Sequence, residues 1–203
     1  MTDRIKKQIS SRTFLCKIVL VAIIGFSLVA CEYEKLGEVV VEERTATGFV
    51  EIASKSSVDV NLYTGKDYKV IVKADEKNLN KIVTEVRDGI LHIEGKGIIR
   101  AKGLTVDVYM PKLKAIAVTG SGDVKVNSGI ASNLEIKISG SGDIDTRNYQ
   151  VEDINITSTG SGDSKIWVTE TLTGKLSGSG DILYKGNPKV SVNDTGSGDV
   201  KRL

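Results

Sequence analysis

Along most of the chain, apolar and polar side chains alternate with a period of two. The clearest run is Leu104-Thr105-Val106-Asp107-Val108-Tyr109, and further on the apolar positions fall into columns. One column holds Leu134, Ile154, Leu172 and Val190; a second holds Ile116, Ile136, Ile156 and Val192; a third holds Val118, Ile138 and Leu176. Polar residues such as Glu135, Lys137, Asn155, Thr157, Thr173 and Lys175 sit between them. Period-two alternation predicts strands with one buried face. Helical periodicity is nearly absent, so the fold class is all-β.

The columns repeat because the chain repeats. Five copies of Gly-Ser-Gly-Asp place their acids at Asp123, Asp143, Asp163, Asp181 and Asp199, spaced 20, 20, 18 and 18 residues apart. The glycine pairs are Gly120 and Gly122, Gly140 and Gly142, Gly160 and Gly162, Gly178 and Gly180, Gly196 and Gly198. After each motif a second short strand alternates again, with Val124 and Val126, Ile144 and Thr146, or Ser164 and Ile166 pointing inward and Lys125, Asp145, Lys165, Leu183 and Lys201 outward. A polar return such as Asn127-Ser128-Gly129 closes the unit. About 18–20 residues cannot bury their own apolar face, whereas stacked copies can. The expected architecture is a parallel β-helix or β-solenoid with one repeat per rung; the rival is an antiparallel sandwich or barrel. The motif is expected to be a structural corner, its glycines taking positive φ and its Ser and Asp bonding nearby backbone N–H groups. Asp194 and Arg202 stand in inward columns of the last repeat and are expected to pair across its open end.

Residues 47–111 alternate without the motif. Val58–Leu62 and Tyr68–Val72 read as strands joined through Thr64-Gly65-Lys66. Asp75 is placed to cap a short helix over the polar residues 76–81. Asp88-Gly89 between Thr84-Glu85-Val86 and Ile90–Ile93 is a hairpin signal. This half is expected to be partly antiparallel.

The first thirty residues change the reading of charge and thiols. Arg4, Lys6, Lys7, Arg12 and Lys17 precede a thirteen-residue apolar run, Ile18 to Ala30, too short to span a bilayer and typical of a secretory signal. The run closes on Leu28-Val29-Ala30-Cys31, which looks like a bacterial lipobox, with Cys31 as the lipidated first residue of the mature chain. Removing five basic residues and one acid takes the formal charge from +2 to −2, so the basic balance argues nothing for nucleic acid. Cys16 leaves with the signal and no thiol remains for disulfide, metal or catalysis. The expected organisation is a lipoprotein signal peptide over 1–30, an acidic tether over 31–46 in which Val39-Val40-Val41 could add a short strand, and one β-domain over 47–203.

The mature chain resembles the putative auto-transporter adhesin head GIN domain family of bacterial envelope proteins. The resemblance rests on Gly48-Phe49 before Ile52, Tyr63-Thr64-Gly65, Asp88-Gly89 before Leu91-His92-Ile93, Met110-Pro111-Lys112-Leu113, and Gly120-Ser121-Gly122-Asp123. It covers roughly residues 47–203 and implies a β-helical fold and an envelope location, with no catalytic residues.

Candidate chemistry is sparse. His92 is the single histidine and sits in an expected strand, so no His/Cys metal set or Cys nucleophile is available. The Asp column resembles the calcium sites of stacked Gly-Asp turns, but each repeat supplies one such corner rather than two. Lys125, Lys165 and Lys201 follow Asp123, Asp163 and Asp199 by two residues and offer counter-charge instead. Neighbouring unit charges 5 Å apart repel by about 0.8 kcal/mol in bulk water. Trp167 is expected on the outer face level with Arg147 and Lys185, as a ligand surface or as a ring covered by cations. The function expected is a non-enzymatic, lipid-anchored binding module of the cell envelope with no cofactor. Its partners would be the membrane, through lipid on Cys31, and a glycan or envelope protein. The alternatives are an envelope polysaccharide-acting enzyme and a calcium-stabilised binding module.

Overall fold

The computed structural model describes residues 38–97, 99 and 103–203; the expected signal segment and the Cys31 lipidation site lie outside them. The described chain is all-β apart from one helical turn. In chain order its strands are β1 (Val39–Arg44), β2 (Glu51–Lys55), β3 (Asp59–Thr64), β4 (Lys69–Asp75), β5 (Ile82–Arg87), β6 (Ile90–Gly95), β7 (Thr105–Met110) and β8 (Ala115–Val118). They continue with β9 (Val124–Val126), β10 (Gly129–Ile138), β11 (Ile144–Ser158), β12 (Ser164–Leu176), β13 (Ile182–Lys185), β14 (Lys189–Asp194) and β15 (Val200–Arg202). Helix α1 (Glu76–Leu79) follows β4, and the Asp75 side chain accepts the Asn78 N–H as its N-cap.

All fifteen strands belong to one sheet of mixed orientation. From β8 onward every pairing is parallel, and the apolar columns meet residue for residue. Leu134 lies beside Ile154, Ile154 beside Leu172 and Leu172 beside Val190. In the next column Ile52, Ile116, Ile136 and Ile156 follow one another, and then Gly174 and Val192. On the strands after the corners, Val60, Val124, Ile144, Ser164, Ile182 and Val200 form a matching row. Most of these side chains are fully enclosed, each contributing on the order of 2 kcal/mol through removal from water. Like residues stack on like because each layer presents its neighbour with the same pleat.

The amino-terminal half is arranged differently. Strand β6 pairs parallel with β2, and β7 parallel with β3, so β6 and β7 form a layer on the far side of β2 and β3 from β8 and β9. Residues late in sequence are thus inserted early in space. The antiparallel pairs are β5 with β6, β4 with β7, and β1 with β4. Strand β7 separates β3 from β4, so Thr64-Gly65-Lys66 connects strands that are not neighbours. The Asp88-Gly89 turn joins β5 to β6 with both residues at positive φ (53° and 76°), the geometry that matches strand twist in a two-residue hairpin. Tyr149 closes the interior near Leu113, whose carbonyl accepts its hydroxyl, and burial raises its pKa.

The reason for the corner glycines is corrected by the structure. None of the ten lies in the positive-φ region. Glycine is required there because the preceding layer's backbone stands where a side chain would go. A Cβ on Gly140 would meet Gly120 O, and one on Gly160 would meet Gly140 O, each closer than 3.0 Å. The second glycine of each pair behaves alike: a Cβ on Gly142 would meet Gly122 O, and one on Gly162 would meet Gly142 O.

Candidate ligand surface

The corner residues assemble into a ladder between layers. The Asp143 N–H donates to Asp123 Oδ1 (2.9 Å), Asp163 N–H to Asp143 Oδ1 (2.8 Å), Asp181 N–H to Asp163 Oδ1 (2.8 Å) and Asp199 N–H to Asp181 Oδ1 (2.8 Å). The carboxylates therefore bond the next repeat, 18 to 20 residues away, rather than neighbours in sequence as expected. Backbone bonds run beside them: Ser141 N–H donates to Gly120 O and Ser161 N–H to Gly140 O.

The ladder has a first member outside the Gly-Ser-Gly-Asp repeats. Asp123 N–H donates to Asp59 Oδ1 (3.0 Å), across 64 residues. Ser56-Ser57-Val58-Asp59 is the same corner with side chains at both glycine positions. Aligned on the acid, it shares Ser, Asp and the following Val with Gly120-Ser121-Gly122-Asp123-Val124, and that was the available signal.

The lysines balance the ladder only in part. Lys201 pairs with Asp199 (2.7 Å), whereas Lys125 and Lys165 flank Asp145 on the adjoining strands. Asp145 also takes Arg147 through both Nε (2.9 Å) and Nη2 (2.6 Å), and this contact holds its carboxyl below the usual range. In the last layer Asp194 accepts the Gly196 N–H (3.1 Å), a local bond in place of the expected pairing with Arg202.

Trp167 lies opposite Gln150 and Lys185, not Arg147, because a register shift intervenes between Asp145 and Gln150. Lys185 Nζ sits 3.8 Å from the Trp167 ring centroid, a cation–π contact. Of the three expected surface residues, Trp167 and Lys185 are thus brought together and Arg147 is engaged elsewhere.

A second polar cluster was not foreseen. Tyr63 and Tyr109 stack with centroids 4.7 Å apart and planes at 12°. Two residues along, the buried Asp107 accepts Asn61 Nδ2 (2.9 Å) and Lys73 Nζ (2.6 Å). That hydrogen bond raises the Lys73 pKa; Tyr63 is raised chiefly by burial and then by Asp107. Asp107, Asn61, Lys125, Asp145, Lys165, Leu183 and Lys201 thereby form one continuous outer row across seven strands.

His92 stands between Ala53 and Glu85 on adjacent strands, with Nδ1 4.0 Å from Glu94. Among the described residues no three His, Cys, Asp or Glu side chains converge as a metal site, and no helix is long and apolar enough to cross a membrane.

Residues 48–133 and 126–188 match the family model described as putative auto-transporter adhesin, head GIN domain. The chain belongs to that family. Among solved structures it is similar to a putative adhesin from Bacteroides fragilis, at 20% identity and a TM-score of 0.55, covering 82% of this chain and 97% of that one. A putative lipid binding protein from Parabacteroides distasonis is similar to the same degree, with 20% identity, a TM-score of 0.55 and the same coverage of 82% and 97%. At this identity the likeness is one of fold. No curated protein matches the chain.

Proposed function

We propose that this head GIN domain protein is a lipid-anchored, non-catalytic binding module of the bacterial cell envelope, built as a parallel β-solenoid on an amino-terminal antiparallel cap. The observation that carries the reading is the in-register stacking of layers. The Asp ladder and backbone bonds hold each corner against the next, so the outer row of charged side chains and the Trp167–Lys185 pair keep fixed spacings. Such a surface suits recognition of an extended polar partner, a glycan or an envelope protein. Family membership supports the adhesin assignment and the envelope location. The basic, apolar, Leu-Val-Ala-Cys order supports lipid on Cys31.

The test is capture by the immobilised full chain from a glycan panel and from solubilised envelope proteins. The expected result is saturable depletion of one component, weakened by Trp167→Ala. Release of shortened glycan products would overturn the non-catalytic reading. Normal processing and unchanged membrane partitioning of a Cys31→Ser chain would overturn the anchor.

A further inference from the structure

Several cations on the outer surface are neutralised within the protein. Lys69 bonds Glu43, Lys73 bonds Asp107, Arg147 bonds Asp145 and Lys201 bonds Asp199. Lys185 differs. Among the described residues it has no ion-pair partner, and its ammonium is held over the Trp167 ring instead.

Strand pairing extends that contact into a strip. Ile130 of β10 lies beside Gln150 of β11, Gln150 beside Trp167 of β12, and Trp167 beside Lys185 of β13. Side chains paired in register on parallel strands share a face. Here it is the outer one, because Tyr149 and Val151 on either side of Gln150, and Ile166 and Val168 on either side of Trp167, are buried. Ile130 is 77% exposed, more than any other large apolar side chain in the described protein. Two register shifts frame the strip, between Asp145 and Gln150 and between Val151 and Asp153. Such irregularities re-aim side chains. The first sets Gln150 beside Trp167 in place of Arg147, whose charge Asp145 already meets.

The strip is rich in donors and poor in acceptors. The amide offers two N–H groups and one carbonyl, the indole one N–H and the ammonium three. None has a hydrogen-bond partner among the described residues. A peptide backbone brings one donor for each acceptor. A chain of uronic acids brings hydroxyl, ring and carboxylate oxygens in excess, and a negative charge for Lys185. Its C–H ring faces also suit Ile130 and the indole, which a polyphosphate cannot match. A chain crossing the strands meets a new side chain about every 4.8 Å, close to the advance of one sugar in an extended β-1,4-linked glycan. Four strands then correspond to four sugars.

We propose, resting on the binding-module reading, that Ile130, Gln150, Trp167 and Lys185 bind an extended acidic glycan of the uronic acid class, one sugar per strand, with a carboxylate on Lys185.

The experiment titrates β-1,4-linked oligoglucuronates of two to six sugars, and the same oligomers methyl-esterified, into the full chain by calorimetry. The expected result is saturable binding of the acids, tightening up to four sugars and level beyond. The esters should bind at least about tenfold more weakly, a loss of roughly 1.4 kcal/mol. Lys185→Gln should bring the acids down to the level of the esters while leaving ester binding unchanged, which a misfolded chain would lose. Ile130→Ser should weaken the tetramer and spare the dimer, which Trp167 and Lys185 hold. Lys137→Gln, at an exposed site elsewhere on β10, should bind as wild type. Equal binding of acid and ester, undiminished acid binding by Lys185→Gln, or an equal loss in Lys137→Gln would overturn the proposal. So would inorganic polyphosphate bound as tightly as the tetramer, the mark of charge alone. Capture of an envelope protein or a neutral glycan, with no acidic oligomer bound, would sink the proposal and leave the binding-module reading standing. No capture from either panel and no oligomer bound would sink both.

Discussion

The corner at Ser56-Ser57-Val58 and the corner at Gly140-Ser141-Gly142 hold equivalent places, yet one carries side chains where the other must be bare. The difference lies in what stands in front. Gly140 faces the carbonyl of Gly120, as Gly120 faces that of Ser56. In the β6–β7 layer in front of Ser56, nine residues lie between the two strands, against five between β8 and β9. Val58 can therefore be a fully buried core residue where every later layer needs glycine. Glycine here marks a close approach of backbone to backbone. The acid is common to both kinds of corner because its work, accepting the next layer's N–H, begins at Asp59 and continues to Asp181.

The largest effect should come from placing alanine at equivalent corners. Gly140→Ala should destabilise by roughly 3 kcal/mol, since backbone rather than a flexible side chain must yield. Ser56→Ala should cost only about 1 kcal/mol, the hydroxyl's bond to the Val58 N–H. Gly196→Ala, in the last layer, should fall between them because nothing described stacks upon it. Equal midpoints in urea for the Gly140 and Ser56 variants would break the contrast.

A smaller effect should separate the two roles open to the acid column. Asp143→Ala strands the Asp163 N–H and should cost about 1–2 kcal/mol, whereas Asp143→Asn keeps the acceptor and should be nearly neutral. Chelator should leave the melting temperature unchanged. A metal bound only to the folded state at 100 times its dissociation constant would add about 2.7 kcal/mol. A calcium-dependent gain of that size, lost in Asp143→Asn/Asp163→Asn, would make the ladder a cation site.

The smallest effect concerns a column shared by both halves, which runs through Ser54, Val118, Ile138, Ser158 and Leu176. The hydroxyls of Ser54 and Ser158 are enclosed without a hydrogen-bond partner among the described residues. Ser54→Ala and Ser158→Ala should each raise stability by about 1 kcal/mol, read as a higher urea midpoint. A loss in only one of them would show that the two halves are not packed alike.

The regular half was legible because its signals are local. Alternation gave the inward columns, the period gave the register, and Asp88-Gly89 and Asp75 announced a hairpin and a cap that the chain forms. The candidate surface was less legible. Arg147 and Trp167 are 20 residues apart, one full repeat, but the register shift within β11 sets Gln150 beside Trp167 and leaves Arg147 to Asp145. Tyr63 and Tyr109 are 46 positions apart, and only the pairing of β3 with β7 sets them side by side.

What the sequence determined by itself was the all-β class, the one-face burial of each strand and the register of the apolar columns, since those depend on spacing along the chain. Tertiary structure alone decided that β6 and β7 enter on the far side of β2 and β3, and that the glycines answer to carbonyls in front of them. Each of these depends on which distant backbone comes within about 3 Å, and no local pattern encodes that.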